Sequence, residues 1–368
     1  MANTAILPWL LTAAVCAAQV PAPSAADRVV SPEVSGGTIT FRIYAPKAEK
    51  VTLNGDWMKV GDNVPLAKGS DGVWSVQAGP LEPQVYLYSF NVDGLNIADP
   101  VNPRMKLRAR TSASLVEVPG NELWQLRDVP HGRVEMLTHR SKVLDGAERQ
   151  VFVYTPPGYQ KGKSTYPVLY LFHGSNDVAA GWTWTGNAHL ILDNLIADGK
   201  SVPMVIVMPW GHAVPFGSPR EVQSRNTDLH ERYVVEEVMP WMESEYRLKP
   251  GAANRAVVGL SMGGGQALRI GLNHIDKFAH VGVFSSGKPA DFETRHAKVL
   301  GDAKGTNGRL KLFWIGIGTD DGALDRARAL HSALEKAGVQ HEFVETGGGH
   351  FYPVWRRYLS IVAPKLFR

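Results

Sequence analysis

The stretch Arg255-Ala256-Val257-Val258-Gly259-Leu260-Ser261-Met262-Gly263-Gly264-Gly265-Gln266-Ala267-Leu268 decides how the rest of the chain is read. It opens on an apolar β-branched run and closes on residues that favour a helix. Between them stands Gly259-x-Ser261-x-Gly263. Strand, sharp turn and helix in that order put a serine on a strained corner with its hydroxyl exposed at a sheet edge. Side chains at 259 and 263 would collide across such a corner, so glycine at both places is a steric requirement. The helix aims its N-terminal amides and positive dipole end at any charge that develops near Ser261. The five-residue pattern alone arises by chance in about one chain in ten of this length; the flanking strand and helix give it weight.

Outward from that stretch, the pattern from residue 133 onward alternates apolar strands with helices. Residues 150–154, 167–172, 204–208, 256–258, 280–284, 310–315 and 341–344 read as strands; 188–197, 229–246, 324–337 and 354–366 read as helices. Near-continuous apolar strands are buried on both faces, which predicts an α/β domain with a mostly parallel central sheet covered by helices. In such sheets the site lies beyond the carboxyl ends of the strands. A serine nucleophile there takes its acid and then its histidine from later in the chain. His331 falls inside a helix and His341 begins a strand, at the wrong edge. His350, in Gly347-Gly348-Gly349-His350, follows the last strand and is the expected general base. The strand before it ends at Gly318-Thr319-Asp320-Asp321. Either aspartate fits the orienting acid and the other a helix cap, with Asp321 preferred. Asp291 and Asp302 have no strand end before them. An oxyanion hole needs two backbone N–H groups, expected from Met262 and, after Phe172-His173-Gly174, from Ser175. His173 itself reads as structural. Trp182, Trp184, Trp210 and Trp355 lie in loops at the same edge and are candidate substrate-binding residues, although each singly also reads as core.

The chain has 368 residues, enough for two domains, and 44% hydrophobic with 20% charged residues describes an ordinary globular protein. A net charge of +4 without a Lys/Arg cluster predicts no nucleic-acid partner. No H-E-x-x-H or similar spacing, phosphate-cradling loop or dinucleotide fingerprint occurs, so no metal or cofactor is expected. Residues 1–26 read as a signal peptide with an apolar core at 5–18, cleaved after Ala18 or Ala26, although no Lys or Arg precedes that core. It is too short, and too interrupted by Pro8, to span a membrane. A lipoprotein site at Cys16 fits poorly after Ala13-Ala14-Val15. Cys16 is the sole cysteine, so the mature chain has no disulfide or thiol chemistry. A secreted or periplasmic location follows from the leader.

Residues 27–122 read as an all-β sandwich, with strands near 38–44, 50–53, 72–76 and 85–92 separated by Gly/Asn/Asp turns. Residues 123–132 carry turn residues and form the linker, and 133–368 form the α/β domain. Trp57 and Trp74 are either sugar-stacking platforms or sandwich core, with core the preferred reading.

Tyr88-Ser89-Phe90-Asn91-Val92-Asp93-Gly94 followed by Asp99-Pro100-Val101-Asn102-Pro103 resembles the immunoglobulin-like, carbohydrate-binding-type domain that precedes glycogen-branching-type enzymes. Such a domain binds sugar or only caps its neighbour. Residues 133–368, with the 254–264 stretch, Leu171-Phe172-His173-Gly174, Gly318-Thr319-Asp320-Asp321 and Gly347-Gly348-Gly349-His350, resemble the feruloyl and acetylxylan esterases, the esterase D-like branch of the α/β-hydrolases. The resemblance implies Ser261, Asp321 and His350 as a triad and Met262 in the oxyanion hole. After His173-Gly174 this chain reads Ser175-Asn176-Asp177 where relatives often have more glycine, which bears on the second donor. The implied function is a secreted serine esterase acting on hydroxycinnamoyl (ferulate-type) esters of plant cell-wall xylan. Acetylxylan hydrolysis, a siderophore trilactone esterase and a non-catalytic carbohydrate-binding protein are the alternatives. The partner is a cell-wall polysaccharide or small ester; oligomeric state is not legible.

Overall fold

A computed structural model describes residues 29–368 apart from Val60; the expected leader, 1–26, lies outside the described residues. The N-terminal part is a β-sandwich. Its strands are β1 (Glu33–Ser35), β2 (Thr38–Tyr44), β3 (Val51–Gly55), β4 (Val64–Pro65), β5 (Ala67–Lys68), β6 (Val73–Ala78), β7 (Gln84–Val92), β8 (Leu95–Ile97), β9 (Met105–Leu107) and β10 (Ser112–Val118). One sheet runs β1-β2-β6-β5; the other runs β4-β3-β7-β10-β9, with β8 on β7. The two-residue period of a strand shows directly in β2, where Ile39, Phe41 and Ile43 are buried and the residues between them are not.

Both tryptophans of the sandwich are used inside it. Trp57 stacks on Phe41 with ring centroids 5.6 Å apart, and buried Trp74 donates its indole N–H to Ala45 O at 2.9 Å. Burying these large rings supplies much of a small domain's core. The quoted Tyr88…Asp99…Asn102 motif is a buried polar tie. The Tyr88 hydroxyl donates to Asp99 Oδ2 at 2.7 Å and accepts from Asn102 Nδ2 at 2.9 Å.

The α/β part has eight strands: β11 (Arg133–Arg140), β12 (Glu148–Thr155), β13 (Val168–Phe172), β14 (Val205–Pro209), β15 (Arg255–Leu260), β16 (His280–Phe284), β17 (Leu312–Gly318) and β18 (Glu342–Thr346). Their order is β11-β12-β14-β13-β15-β16-β17-β18. Pairing is parallel from β14 to β18, and β11 and β12 run antiparallel at one edge. Alternate residues of each central strand face opposite helical layers. Leu169 and Leu171 meet the helices Ala188–Ala197 and Tyr352–Val362 through Leu192 and Tyr358, whereas Val168 and Tyr170 share the other core with Leu268 and Leu330. Those two belong to the helices Met262–Asn273 and Leu324–Ala337.

The predicted helix over 229–246 is three segments, Asn226–Arg232, a wide π-type turn at Tyr233–Val238, and Met239–Glu245. The expected linker is pinned. Asn194 Nδ2 donates to Leu123 O and Gln125 O at 2.7 and 2.9 Å, and Asn187 Nδ2 donates to Trp124 O at 2.9 Å. Arg356, fully buried, clamps the two parts together by donating to Gln84 Oε1 and Val85 O of the sandwich and to Thr185 O of the α/β part. A buried guanidinium is tolerated only when its donors are used in this way. Among the described residues no helix is long and apolar enough to cross a membrane.

Candidate active site

Ser261 stands between β15 and the helix Met262–Asn273 with φ 54° and ψ −118°. The corner is closed by contact. A Cβ on Gly259 would lie 2.2 Å from Gly263 O, and one on Gly263 would lie 2.5 Å from His173 O. The steric requirement read from the sequence is therefore met at both glycines. The Ser261 N–H donates to Phe284 O at 2.8 Å, which ties the corner to the end of β16.

His350, after β18, brings Nε2 to 2.9 Å from Ser261 Oγ and Nδ1 to 2.9 Å from Asp321 Oδ2. Asp321 Oδ1 accepts the Ala323 N–H at 2.8 Å. Burial by itself raises the Asp321 carboxyl, but bonds from His350, the Ala323 amide and the Ser285 hydroxyl outweigh it and hold the group below its usual range. An ionised Asp321 accepts the hydrogen bond from Nδ1–H, which keeps the proton on Nδ1 and leaves Nε2 as the acceptor for the Ser261 hydroxyl; the tautomer follows from the bonding. Asp320, the alternative acid, is exposed.

Ser285 escaped the sequence reading. It follows β16 at the same rim, is buried, has φ 48°, and accepts the Trp355 indole N–H at 2.8 Å. The strand-end rule that selected Asp321 also points to this position, directly after β16. Trp355 in turn sets its ring perpendicular to that of His350, with centroids 5.0 Å apart.

Met262 begins its helix, so its N–H has no partner within the helix and sits beside Ser261. The turn after β13 passes across Ser261. A Cβ on Gly174 would lie 3.3 Å from Ser261 Cβ, and Gly174 and Ser175 line the cleft in front of the hydroxyl. His173 is buried, donates Nδ1–H to Gly174 O at 2.8 Å and accepts the Gly211 N–H on Nε2 at 2.8 Å. Burial draws its pKa down to about 4, so it is neutral and joins two loops. His331 and His341 bond each other at 2.8 Å instead of approaching Ser261.

Residues 141–366 match the Esterase family model. The chain belongs to this esterase family. Residues 29–104 match carbohydrate-binding module 48, the isoamylase N-terminal domain. The chain is 31% identical over 345 residues to the endo-1,4-beta-xylanase/feruloyl esterase of Xylanibacter ruminicola, across 91% of this chain and 45% of that one. This chain thus spans less than half of that relative's length. A solved ferulic acid esterase from the anaerobic fungus Anaeromyces mucronatus has TM-score 0.58 and 25% identity, over 68% of this chain and 96% of that one. The enterobactin esterase of Shigella flexneri has TM-score 0.66 and 18% identity over 90% and 92%, a likeness of fold that takes in both domains.

The cleft in front of Ser261, about 280 Å³, is walled by both parts. The α/β part contributes Ser261, His350 and Trp355; the sandwich contributes Asp56, Lys106 and Arg108. Of the four candidate tryptophans, only Trp355 lies there. Trp182 is fully buried and donates its N–H to Phe172 O at 2.9 Å, because the segment Gly181–Thr185 turns inward under the helical layer. Trp184, on the opposite side of that segment, is 52% exposed and away from the cleft lining. Trp210 lines a separate cavity with His212 and Phe216. The expected loop placement holds only for Trp210: Trp182 and Trp184 lie in the helical turn Gly181–Thr185 and Trp355 in the first turn of the helix Tyr352–Val362, and side-chain direction decides which of them reaches the cleft.

Proposed function

We propose that this esterase hydrolyses carboxylic esters through Ser261, with His350 as base and acid and Asp321 orienting it. The observation that carries this reading is the continuous 2.9 Å chain from Ser261 Oγ through His350 to Asp321 at the mouth of the cleft. The Ser261 proton passes to His350 Nε2 as Oγ bonds the carbonyl carbon. The resulting oxyanion is received by the Met262 and Ser175 N–H groups. Collapse sends the proton from His350 to the departing alcohol and leaves an acyl-serine. Water gives a proton to His350 as it attacks the acyl carbon; the Ser261 Oγ–acyl bond then breaks, His350 returns the proton to Oγ and the acid leaves.

The preferred substrate is a hydroxycinnamoyl (ferulate-type) ester on plant cell-wall xylan, met outside the cytoplasm. The name of the Xylanibacter ruminicola relative and the aromatic ring of Trp355 beside His350 support it. Release of ferulate from methyl ferulate by the pure protein, compared with turnover of p-nitrophenyl acetate, tests the acyl preference. Absence of ferulate release while acetate is released would move the assignment to acetylxylan. A second reading, a siderophore trilactone, draws on Lys59 and Arg108, two cations that line the same cleft and suit a catecholate. Hydrolysis of an iron-loaded enterobactin-type lactone tests it.

A further inference from the structure

The sandwich enters the cleft through Lys106, at the middle of β9. The polarity of that strand is inverted: Met105 and Leu107 face solvent and the lysine faces inward. Its ammonium lies 2.7 Å from Asp177 Oδ1, and the two side chains are only 8% and 3% exposed. Asp177 belongs to the other domain, in the turn after β13. Its second carboxylate oxygen accepts the Gly174 N–H at 3.3 Å and the Tyr352 hydroxyl at 3.2 Å, and its own N–H donates to Gly174 O at 3.1 Å. The Lys106 ammonium also lies 4.6 Å from the centre of the Tyr352 ring. A little further on, the Ala109 N–H of the sandwich donates to Asn176 O at 3.3 Å.

The turn 174–177 is therefore gripped from the sandwich, and it is the turn that carries the Ser175 amide past Ser261. Ser175 and Asn176 are exposed, so packing does little to fix them. A donor that stabilises a tetrahedral intermediate works only when it is held in place before the reaction. A carboxylate as buried as Asp177 also needs a cation, because an isolated buried charge is strongly unfavourable.

We propose that Lys106 is a positioning residue for the oxyanion loop: through Asp177 it locks residues 174–177 so that the Ser175 N–H faces the intermediate on Ser261. The inference rests on the esterase reading of Ser261. It makes the sandwich a working part of the active site whether or not it binds sugar. Its effect belongs to the transition state, so it falls on kcat and spares ground-state binding.

The test uses the full chain, p-nitrophenyl acetate and phenylboronic acid, which adds to a serine hydroxyl as a tetrahedral adduct. Lys106→Met is expected to lower kcat by about tenfold or more with KM within about threefold, and to raise the boronate Ki by the same factor as kcat falls. Should Lys106→Met fail to fold, Asp177→Asn keeps an acceptor for the Gly174 amide and is expected to lose kcat in the same sense. The double variant should lose no more than the worse single one. Unchanged kcat and boronate Ki in a folded Lys106→Met or Asp177→Asn protein, or additive losses in the double variant, overturn the proposal. A wild-type protein that turns over no ester and takes no boronate defeats the underlying esterase reading instead.

Discussion

At the scale of single residues, Ser261 holds a backbone conformation that side chains rarely adopt, and the surrounding contacts leave it no alternative. The strain lifts the hydroxyl to His350. In the proposed mechanism Asp321 acts through the tautomer it enforces, more than through its charge alone. Asp321→Asn should fold normally and lose roughly 10³–10⁴-fold in kcat, measured on a small ester, because an amide no longer selects the Nδ1–H form of His350. In the proposed oxyanion hole Ser175 contributes its main-chain N–H. Ser175→Ala should change kcat by less than about threefold, whereas Ser175→Pro, which deletes the N–H, should cost about 10²–10³-fold. A large loss in the alanine variant would assign the donor to the hydroxyl instead.

At the scale of elements, the helix that follows Ser261 is braced by its neighbour through Glu231 of Asn226–Arg232. Glu231 accepts from His274 Nε2 at 3.0 Å and Asn273 Nδ2 at 2.8 Å and pairs with Arg269. Burial alone would raise its pKa; the three partners outweigh that and bring it from 4.5 down to about 2. A depressed carboxylate stabilises the fold fully above its unfolded pKa, and this contribution fades as pH falls from 4.5 towards 2. Glu231→Gln should therefore be less stable than wild type at pH 7, with the gap closing below pH 4, by urea unfolding at several pH values. The same scale shows what the sequence made legible. Strands β13 to β17 and the helices Ala188–Ala197 and Leu324–Ala337 were readable because they are buried along most of one stripe or both faces. The triad candidates were readable because strand ends at one rim must hold them. β11 was not: it is an edge strand of alternating exposed and half-buried residues with a weak apolar signal. The wide turn at Tyr233–Val238 left the apolar period almost intact, so one helix was expected where three segments occur. The tryptophans misled for a different reason: three of the four sit in helical turns, and composition does not say which way a side chain on such a turn points.

At the scale of the whole molecule, the sandwich and the α/β part share polar ties that neither can satisfy alone. Arg356 holds sandwich acceptors with one side of its guanidinium and Thr185 O with the other. Arg356→Met strands those acceptors in a dry interface and should cost about 3 kcal/mol or more. Calorimetry should show wild type melting in one transition and the variant melting lower, with the sandwich leaving first; two separate transitions in wild type would contradict this coupling. The pinned connector 123–132 supports the same expectation. The esterase chemistry itself is tested most directly by mass spectrometry of the intact chain after treatment with a fluorophosphonate. The account predicts a single phosphonyl adduct on the Ser261 peptide, formed far more slowly in His350→Ala and absent in Ser261→Ala. An adduct on another residue, or full ester turnover by Ser261→Ala, would contradict it.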